Sequence, residues 1–154
     1  MITAKIGSIS KKLSAANLQK LLESETFFLD RCLGKKILAS ALRAAHMNIE
    51  VHDDHFPPDA KDEHWLQIVG GRGWIVLTSD RRIRYRGPEL TALMTSGVRA
   101  FAFRSGNLTA QEMATIFLKA LPRVSNLVRR NPGPLVASIL RDGSVRVVLS
   151  REGK

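Results

Sequence analysis

The stretch Gly73–Arg82, with the sequence GWIVLTSDRR, constrains the fold of this chain most strongly. Its continuous apolar, β-branched run is typical of a strand that is buried on both faces of a parallel sheet. The run ends at Thr78, Ser79 and Asp80. Because open parallel sheets place their sites beside the carboxyl ends of the strands, we expect Asp80 to lie at a functional edge.

A second apolar run also leads to an aspartate. Thr26–Leu29 is predicted to be a short strand that stops at Asp30, and Gly34 separates it from a helix. Strand, turn and amphipathic helix in this order indicate the opening of a parallel α/β unit. The helix is predicted from apolar residues at helical spacing, which are Ile37, Leu38, Ala41, Leu42 and Ala45.

A polar loop follows the second predicted strand, Asn48–His52. The loop is Asp53–Pro58, and its Asp53, Asp54 and His55 form a cluster with His52 at the end of the strand. Such a cluster could hold a transition metal, but without cysteines or helical spacing an exposed polar loop is the favoured interpretation. One of the two aspartates could still supply an outer carboxylate to a neighbouring site.

The helix after this loop is predicted to begin at an Asp59 N-cap and to end at Gly70 or Gly71. Asp62 lies three, four and seven residues before the apolar positions of this helix, whereas Glu63 faces elsewhere. A carboxylate on the core-facing stripe indicates a local need for charge. The apolar positions are Trp65, Leu66 and Val69.

The second half of the chain is predicted to complete the sheet. A short helix begins near Pro88 and turns Met94 inward, and Val98–Phe103 follows as a strand. A long helix then carries an apolar stripe over residues 113–128. Pro122 lies within that stripe, so we expect a kink or an early break there.

The two ends of the chain differ in character from its middle. A leucine stripe over Ser14–Glu25 predicts a helix, and Asp142-Gly143 between two apolar runs is a strong hairpin signal. The 154 residues are long enough for one sizeable core. We predict three parts, which are a helical extension (1–25), one domain (26–130) and an appended hairpin (131–154).

The composition favours an anionic partner. The chain has 24 lysines and arginines against 14 acidic residues, a formal net charge of +10, which favours nucleic acid but does not distinguish RNA from DNA. The single cysteine, Cys32, excludes an internal disulfide and a cysteine-rich zinc site, so we expect a cytoplasmic protein. No run of about 18 apolar residues and no signal-peptide core is present, so we expect no membrane association.

Asp30, Asp62 and Asp80 are predicted to approach one end of the sheet. Three convergent carboxylates repel one another, and a hard divalent cation such as Mg²⁺ or Mn²⁺ is the usual way to keep them charged together. Such a cation can position a water and stabilise charge on a phosphate oxygen. Thr78 could orient a carboxylate or bind a phosphate. The alternative is that each aspartate is a cap or a turn residue.

Several arginines are expected beside this edge. Arg81, Arg82 and Arg84 follow Asp80 directly, and Arg31 follows Asp30. They would flank a phosphodiester bound there. A merely solvated charged face is an equally supported interpretation.

Three stretches together resemble the PIN-like domains, specifically the VapC-like subgroup, through an Asp-x-x-Trp helix start and a Gly-Trp-x-x-x-Thr-x-Asp strand. They are Phe27–Asp30, Asp62–Leu66 and Gly73–Arg84, and the likeness covers residues 26–125. The resemblance implies a three-layer α/β/α fold with a central, mainly parallel sheet and Mg²⁺- or Mn²⁺-dependent ribonuclease activity. Many bacterial members are toxins that a cognate antitoxin protein holds inactive, and they are often dimeric.

The resemblance also assigns residues. Asp30, Asp62 and Asp80 match the acidic positions of the family's metal site, and Thr78 matches the threonine beside the third. Many PIN domains carry a further acidic residue after the next strand, where Asn107 is the nearest substitute in this chain.

Two alternatives to a ribonuclease stay open. The first is a non-catalytic PIN-like module that binds RNA or a protein partner, because the acidic set is small. The second is a phosphoacceptor domain of the receiver type, which also places aspartates at strand ends. It is disfavoured because the first strand ends in a single aspartate and no lysine closes the fourth strand.

Overall fold

A computed structural model describes residues 9–33, 36–79, 87–104 and 106–150. Two single turns of 3₁₀ helix, Arg31–Leu33 and His52–Asp54, follow the first two strands. The helices are α1 (Ile9–Ser24), α2 (Ile37–Ala44), α3 (Asp62–Gly71), α4 (Gly87–Ser96) and α5 (Ala110–Arg130). The strands are β1 (Thr26–Leu29), β2 (Asn48–Val51), β3 (Ile75–Thr78), β4 (Arg99–Phe103), β5 (Leu135–Ile139) and β6 (Val145–Ser150).

The six strands form one sheet in the order β2-β1-β3-β4-β5-β6. All neighbours pair in parallel except β5 and β6, which are antiparallel. The predicted α/β fold with a central, mainly parallel sheet is therefore confirmed. The parallel part has the doubly wound order 2-1-3-4-5, whose direction of winding reverses between β1 and β3. A crevice for ligands is expected beside the carboxyl ends of these two strands.

Helices cover both faces of the sheet and make three layers. Successive side chains of a strand point to opposite faces, so Phe27 and Leu29 join one apolar cluster and Phe28 joins the other. The first cluster packs beneath α1, α2 and α5, where Phe117 meets Phe27 edge to face at a centroid distance of 5.6 Å. The second cluster packs beneath α3 and α4 and contains Trp65.

The long helix α5 is continuous through Pro122, so the predicted early break is wrong. Proline removes a backbone donor and crowds the preceding turn, but buried Leu121 and Val124 anchor the helix on either side of it. The start of the helix is also well defined. Thr109 and Glu112 form a capping box, in which each side chain accepts a hydrogen bond from the other residue's backbone N–H.

The predicted Asp59 N-cap of α3 is also wrong. The helix begins at Asp62, and its N-cap is Lys61, whose side chain makes no capping hydrogen bond. Asp59 instead lies in a turn that the Ala60 N–H closes on the Pro57 carbonyl oxygen at 3.0 Å. The predicted end at Gly71 is confirmed.

Two apolar side chains that were predicted to face the core are exposed. Ile37 retains 57% of its surface and Met94 37%. The buried residues of α2 are Leu38, Ala39 and Leu42, so the stripe that contacts the sheet is narrower than the apolar pattern of the sequence.

Both ends of the described chain pack on the domain. In α1, which packs against α5, Leu21 is buried in the first apolar cluster. The predicted hairpin is confirmed, and its first strand, β5, is buried throughout and pairs with β4 in the main sheet. The division of the chain at residues 25 and 130 stays a prediction. Within the ranges described, no helix has the length and apolar character needed to span a membrane.

Candidate metal site at the edge between β1 and β3

Asp30 lies where the sequence predicts it, directly after β1 at the carboxyl edge of the sheet. Its backbone N–H donates to the Leu77 carbonyl oxygen of β3 at 3.0 Å, which extends the ladder to this position. Only 5% of the residue is exposed. Its Oδ2 accepts a hydrogen bond of 2.9 Å from the Thr78 hydroxyl, and its Oδ1 accepts one of 2.7 Å from the Arg31 backbone N–H.

Burial raises the pKa of the Asp30 carboxyl above its ordinary value, and the negative charge of Asp62 raises it further. The hydrogen bonds from Thr78 and Arg31, and the charge of a protonated His52, oppose this rise without cancelling it. The negative charge of Asp62 thus acts on the buried Asp30 carboxyl. Such an arrangement favours the binding of a positive charge or a proton.

Asp62 is the first residue of α3 and is half-buried. Its Oδ1 accepts a hydrogen bond of 2.8 Å from the indole Nε1–H of Trp65, one turn further along the helix. The apolar pattern predicts Trp65 only as a core residue, and its burial agrees with that. Its role as a hydrogen-bond donor to Asp62 could have been inferred from the spacing of three residues, which places both side chains on one helix face.

A network of weak donors and acceptors surrounds Thr78. The sulfur of Cys32 lies 3.4 Å from the Thr78 hydroxyl oxygen, and the Ser79 hydroxyl donates to the same sulfur at 3.2 Å. Partial burial of the sulfur raises the pKa of the Cys32 thiol, and the Asp30 charge adds to the rise. Sequence reasoning used Cys32 only to exclude a disulfide, because a lone cysteine carries no spacing signal.

His52 is buried, with 1% of its surface exposed, which corrects the interpretation of residues 52–55 as a wholly exposed loop. The 3₁₀ turn directs its ring toward Phe56 and Trp65, at centroid distances of 5.5 and 5.9 Å. Among the residues that the structure describes, neither ring nitrogen has a hydrogen-bond partner, and Nδ1 lies 3.7 Å from Asp53 Oδ1. The interpretation is correct for the exposed Asp53, Asp54 and His55.

Three other predicted site residues lie in the part of the chain that the structure describes. Arg31 is exposed, and its guanidinium donates to the Ala60 carbonyl oxygen at 3.0 Å. Glu63 is half-buried on α3, and Asn107 is exposed before α5. In the described ranges, no three His, Cys, Asp or Glu side chains converge on a point that could hold a metal. The remaining predictions lie outside the described residues, namely Asp80, Arg81, Arg82 and Arg84.

The fold and this edge define a doubly wound α/β protein with a buried carboxylate, Asp30, at its topological switch point. A family model described as "PIN like domain" matches residues 26–105, which is just over half of the 154-residue chain. The chain therefore belongs to the PIN-like domain family. PIN domains are generally nucleases and typically use divalent metal ions. No curated protein and no solved structure matches the chain significantly.

Proposed function

We propose that this protein is a divalent-metal-dependent endoribonuclease of the VapC-like type. The observation that carries the proposal is the buried Asp30 carboxylate, which accepts a hydrogen bond from Thr78 at the switch point of the sheet and whose pKa is raised by burial and by the charge of Asp62. Membership of the PIN-like family, which is compatible with RNA binding, supports the same activity.

The chemistry of the described donors fits Mg²⁺ or Mn²⁺. Asp30, Asp62 and Thr78 present hard oxygen atoms, which these cations prefer. The raised pKa of Asp30 reflects burial and repulsion that a bound cation would relieve. Asp80, one residue beyond Ser79 in sequence, would be the third carboxylate. When bound, the cation would activate water and stabilise charge on the scissile phosphate.

The residues of the chain have distinct roles in this proposal. Asp30, Asp62 and Asp80 hold the cation, and the Thr78 hydroxyl fixes the orientation of the Asp30 carboxylate. Positively charged side chains hold the RNA phosphates beside the site, consistent with the net charge of +10. These side chains are Arg31, Arg81, Arg82 and Arg84. The supporting polar residues around the cation site are Asp53, Asp54, Glu63 and Asn107.

An RNA cleavage assay with Mn²⁺ tests the activity. The wild-type protein is expected to cleave single-stranded RNA, and EDTA is expected to stop it. Asp80→Asn should lose cleavage because it removes a ligand, whereas Asp59→Asn, an exposed turn residue, serves as the matched control. Cleavage by Asp80→Asn at the wild-type rate would exclude this role for Asp80.

We further propose that the protein acts in the cytoplasm as the toxin of a toxin–antitoxin pair and forms a homodimer. The VapC-like resemblance supports this biological role. Expression of the wild-type chain is expected to arrest growth, and expression of Asp80→Asn is not. Co-expression of a neighbouring reading frame that restores growth would identify the antitoxin. Normal growth with the wild-type protein at high abundance would argue against a toxin.

The second candidate function is a non-catalytic module that binds RNA or a protein partner. One observation favours it, since no group of three metal-ligating side chains converges in the part of the chain that the structure describes. Calorimetric titration with Mn²⁺ distinguishes the two candidates. A module without a cation site should show no binding heat that depends on Asp30.

The receiver-type alternative shares the parallel strand order 2-1-3-4-5. The match to the PIN-like family model argues against it. Arg104, not a lysine, follows β4. Covalent labelling of Asp30 by a small phosphodonor would favour this alternative over the ribonuclease.

A further inference from the structure

We propose that Trp65 is a positioning residue that holds Asp62 against Asp30 and thereby sets the cation affinity of the site. This inference rests on the proposed metal-dependent function and assigns to a core residue a role in that site.

The hydrogen bond is the first observation. Trp65 is fully buried, and a buried indole N–H normally finds an acceptor. Here the acceptor is the carboxylate Oδ1 of Asp62 at 2.8 Å, so the bond is charge-assisted. The bond restricts rotation of the Asp62 side chain.

The packing of the ring is the second observation. The Trp65 indole lies 5.4 Å from the Phe28 ring and 5.9 Å from the His52 ring, measured between centroids, and it is perpendicular to the latter. Phe28 belongs to β1, two residues before Asp30. The donor is thus held by the same strand that presents the first carboxylate. A donor locked by packing can fix a ligand's geometry.

Electrostatics explain why such a restraint matters. The charge of Asp62 raises the pKa of Asp30, so the two carboxylates repel each other before a cation binds. Asp62 is half-buried at a helix start and could relieve the repulsion by turning toward solvent. The indole bond opposes that rotation. Loss of the donor should therefore weaken cation binding, as loss of outer-shell partners commonly does.

Trp65→Phe tests the inference, because it keeps an aromatic ring but removes the donor. Mn²⁺ affinity is measured by calorimetry on variants whose folding is verified by circular dichroism. Trp65→Phe is expected to weaken Mn²⁺ binding by about 10- to 100-fold. In an Asp62→Asn background the same change should have no further effect, because it acts through Asp62.

Two controls separate positioning from simple loss of core packing. Leu66→Ala removes a fully buried apolar side chain from the same helix, one that has no hydrogen-bond donor for Asp62, and Trp74→Phe replaces the half-buried second tryptophan. Both are expected to retain the wild-type Mn²⁺ affinity. Wild-type affinity in Trp65→Phe, or an equal loss in Leu66→Ala, would overturn the role of Trp65 and leave the proposed function intact. No Mn²⁺ binding by the wild-type protein would overturn both.

If Trp65→Phe fails to fold, tryptophan fluorescence tests whether Trp65 is coupled to the cation site. The chain has only two tryptophans, so Trp74→Phe leaves Trp65 as the single indole fluorophore. Its emission is expected to change saturably with Mn²⁺, with the dissociation constant found by calorimetry. The change should disappear in Trp74→Phe combined with Asp62→Asn. Emission that is unaffected by saturating Mn²⁺ would overturn the inference.

Discussion

The Thr78 hydroxyl donates a hydrogen bond of 2.9 Å to Asp30 Oδ2, and both residues are buried. Thr78 is the last residue of β3 and Asp30 directly follows β1, so the bond joins the two strand ends at the switch point of the sheet. It also favours the ionised form of Asp30 and so opposes the rise in pKa that burial causes. The interaction therefore supports the fold and the proposed site together.

Removal of that hydroxyl should cost stability. Thr78→Val keeps the shape of the side chain but takes a donor from a buried carboxylate, and we expect the free energy of unfolding to fall by about 2 kcal/mol. Urea denaturation at neutral pH measures the change. Thr78→Ser, which keeps the hydroxyl, should lose less. Equal stability of Thr78→Val and the wild type would show that the bond contributes nothing in solution.

Asp30→Asn should make the metal-free protein more stable at neutral pH. The folded-state pKa of Asp30 is raised, so between its ordinary value of 3.8 and the raised value the folded state binds more protons than the unfolded state. Stability from this group is therefore present at low pH and is lost as pH rises through the folded pKa. Asparagine avoids the loss and can still pair with Thr78 and Arg31.

Urea denaturation of both proteins across pH measures this effect. The stability advantage of Asp30→Asn should be largest at neutral pH, should shrink as pH falls through the raised folded-state pKa, and should be gone once pH is below 3.8, the ordinary pKa of the carboxyl. An advantage that is the same at all pH values would contradict an electrostatic origin. A loss of stability at neutral pH would show that the carboxylate contributes to the fold.

Cys32 should react slowly with alkylating agents. Partial burial and the Asp30 charge raise the pKa of its thiol, which lowers the fraction of reactive thiolate at a given pH. Because Cys32 is the only cysteine, mass spectrometry after iodoacetamide treatment reports on it directly. Asp30→Asn should accelerate the reaction by removing the negative charge. Identical rates in the two proteins would mean that the carboxylate does not influence the thiol.

The capping box at the start of α5 should contribute measurably to stability. Thr109→Ala removes the side chain that accepts the Glu112 N–H at 3.1 Å, and we expect a loss of about 1 kcal/mol. Thermal or urea unfolding measures it, with Thr109→Ser as the matched control. Because the cap lies in a separate part of the chain from Asp30, Mn²⁺ affinity should be unchanged. A fall in that affinity would contradict the independence of the two features.

The strands and the position of Asp30 could be predicted from the sequence. Uninterrupted apolar runs such as Ile75–Thr78 are buried on both faces, and that pattern has few competing interpretations. Asp30 could be placed because it directly follows such a run. Helix boundaries were harder to predict. Asp59 is a residue type that commonly caps a helix, but it lies in the turn that the Ala60 N–H closes on the Pro57 carbonyl oxygen, and α3 begins later.

The side-chain details of the site could not be predicted, because they depend on contacts between distant parts of the chain. His52 resembles a loop residue in sequence, yet Phe28, Phe56 and Trp65 enclose its ring. The bond from Trp65 to Asp62 is local and agrees with a spacing of three residues, but only the fold shows that the charge of Asp62 acts on Asp30. Pro122 is tolerated because burial of the apolar face of α5 offsets the backbone hydrogen bond that proline removes.

The most direct test is the rate of Mn²⁺-dependent RNA cleavage by Asp30→Asn, measured on protein whose folding and stability have been verified. If the carboxylate is kept for a cation and not for the fold, this variant should be at least as stable as the wild type. It should nevertheless cleave RNA at least about 100-fold more slowly. Cleavage at the wild-type rate by a folded Asp30→Asn protein would contradict the proposed site.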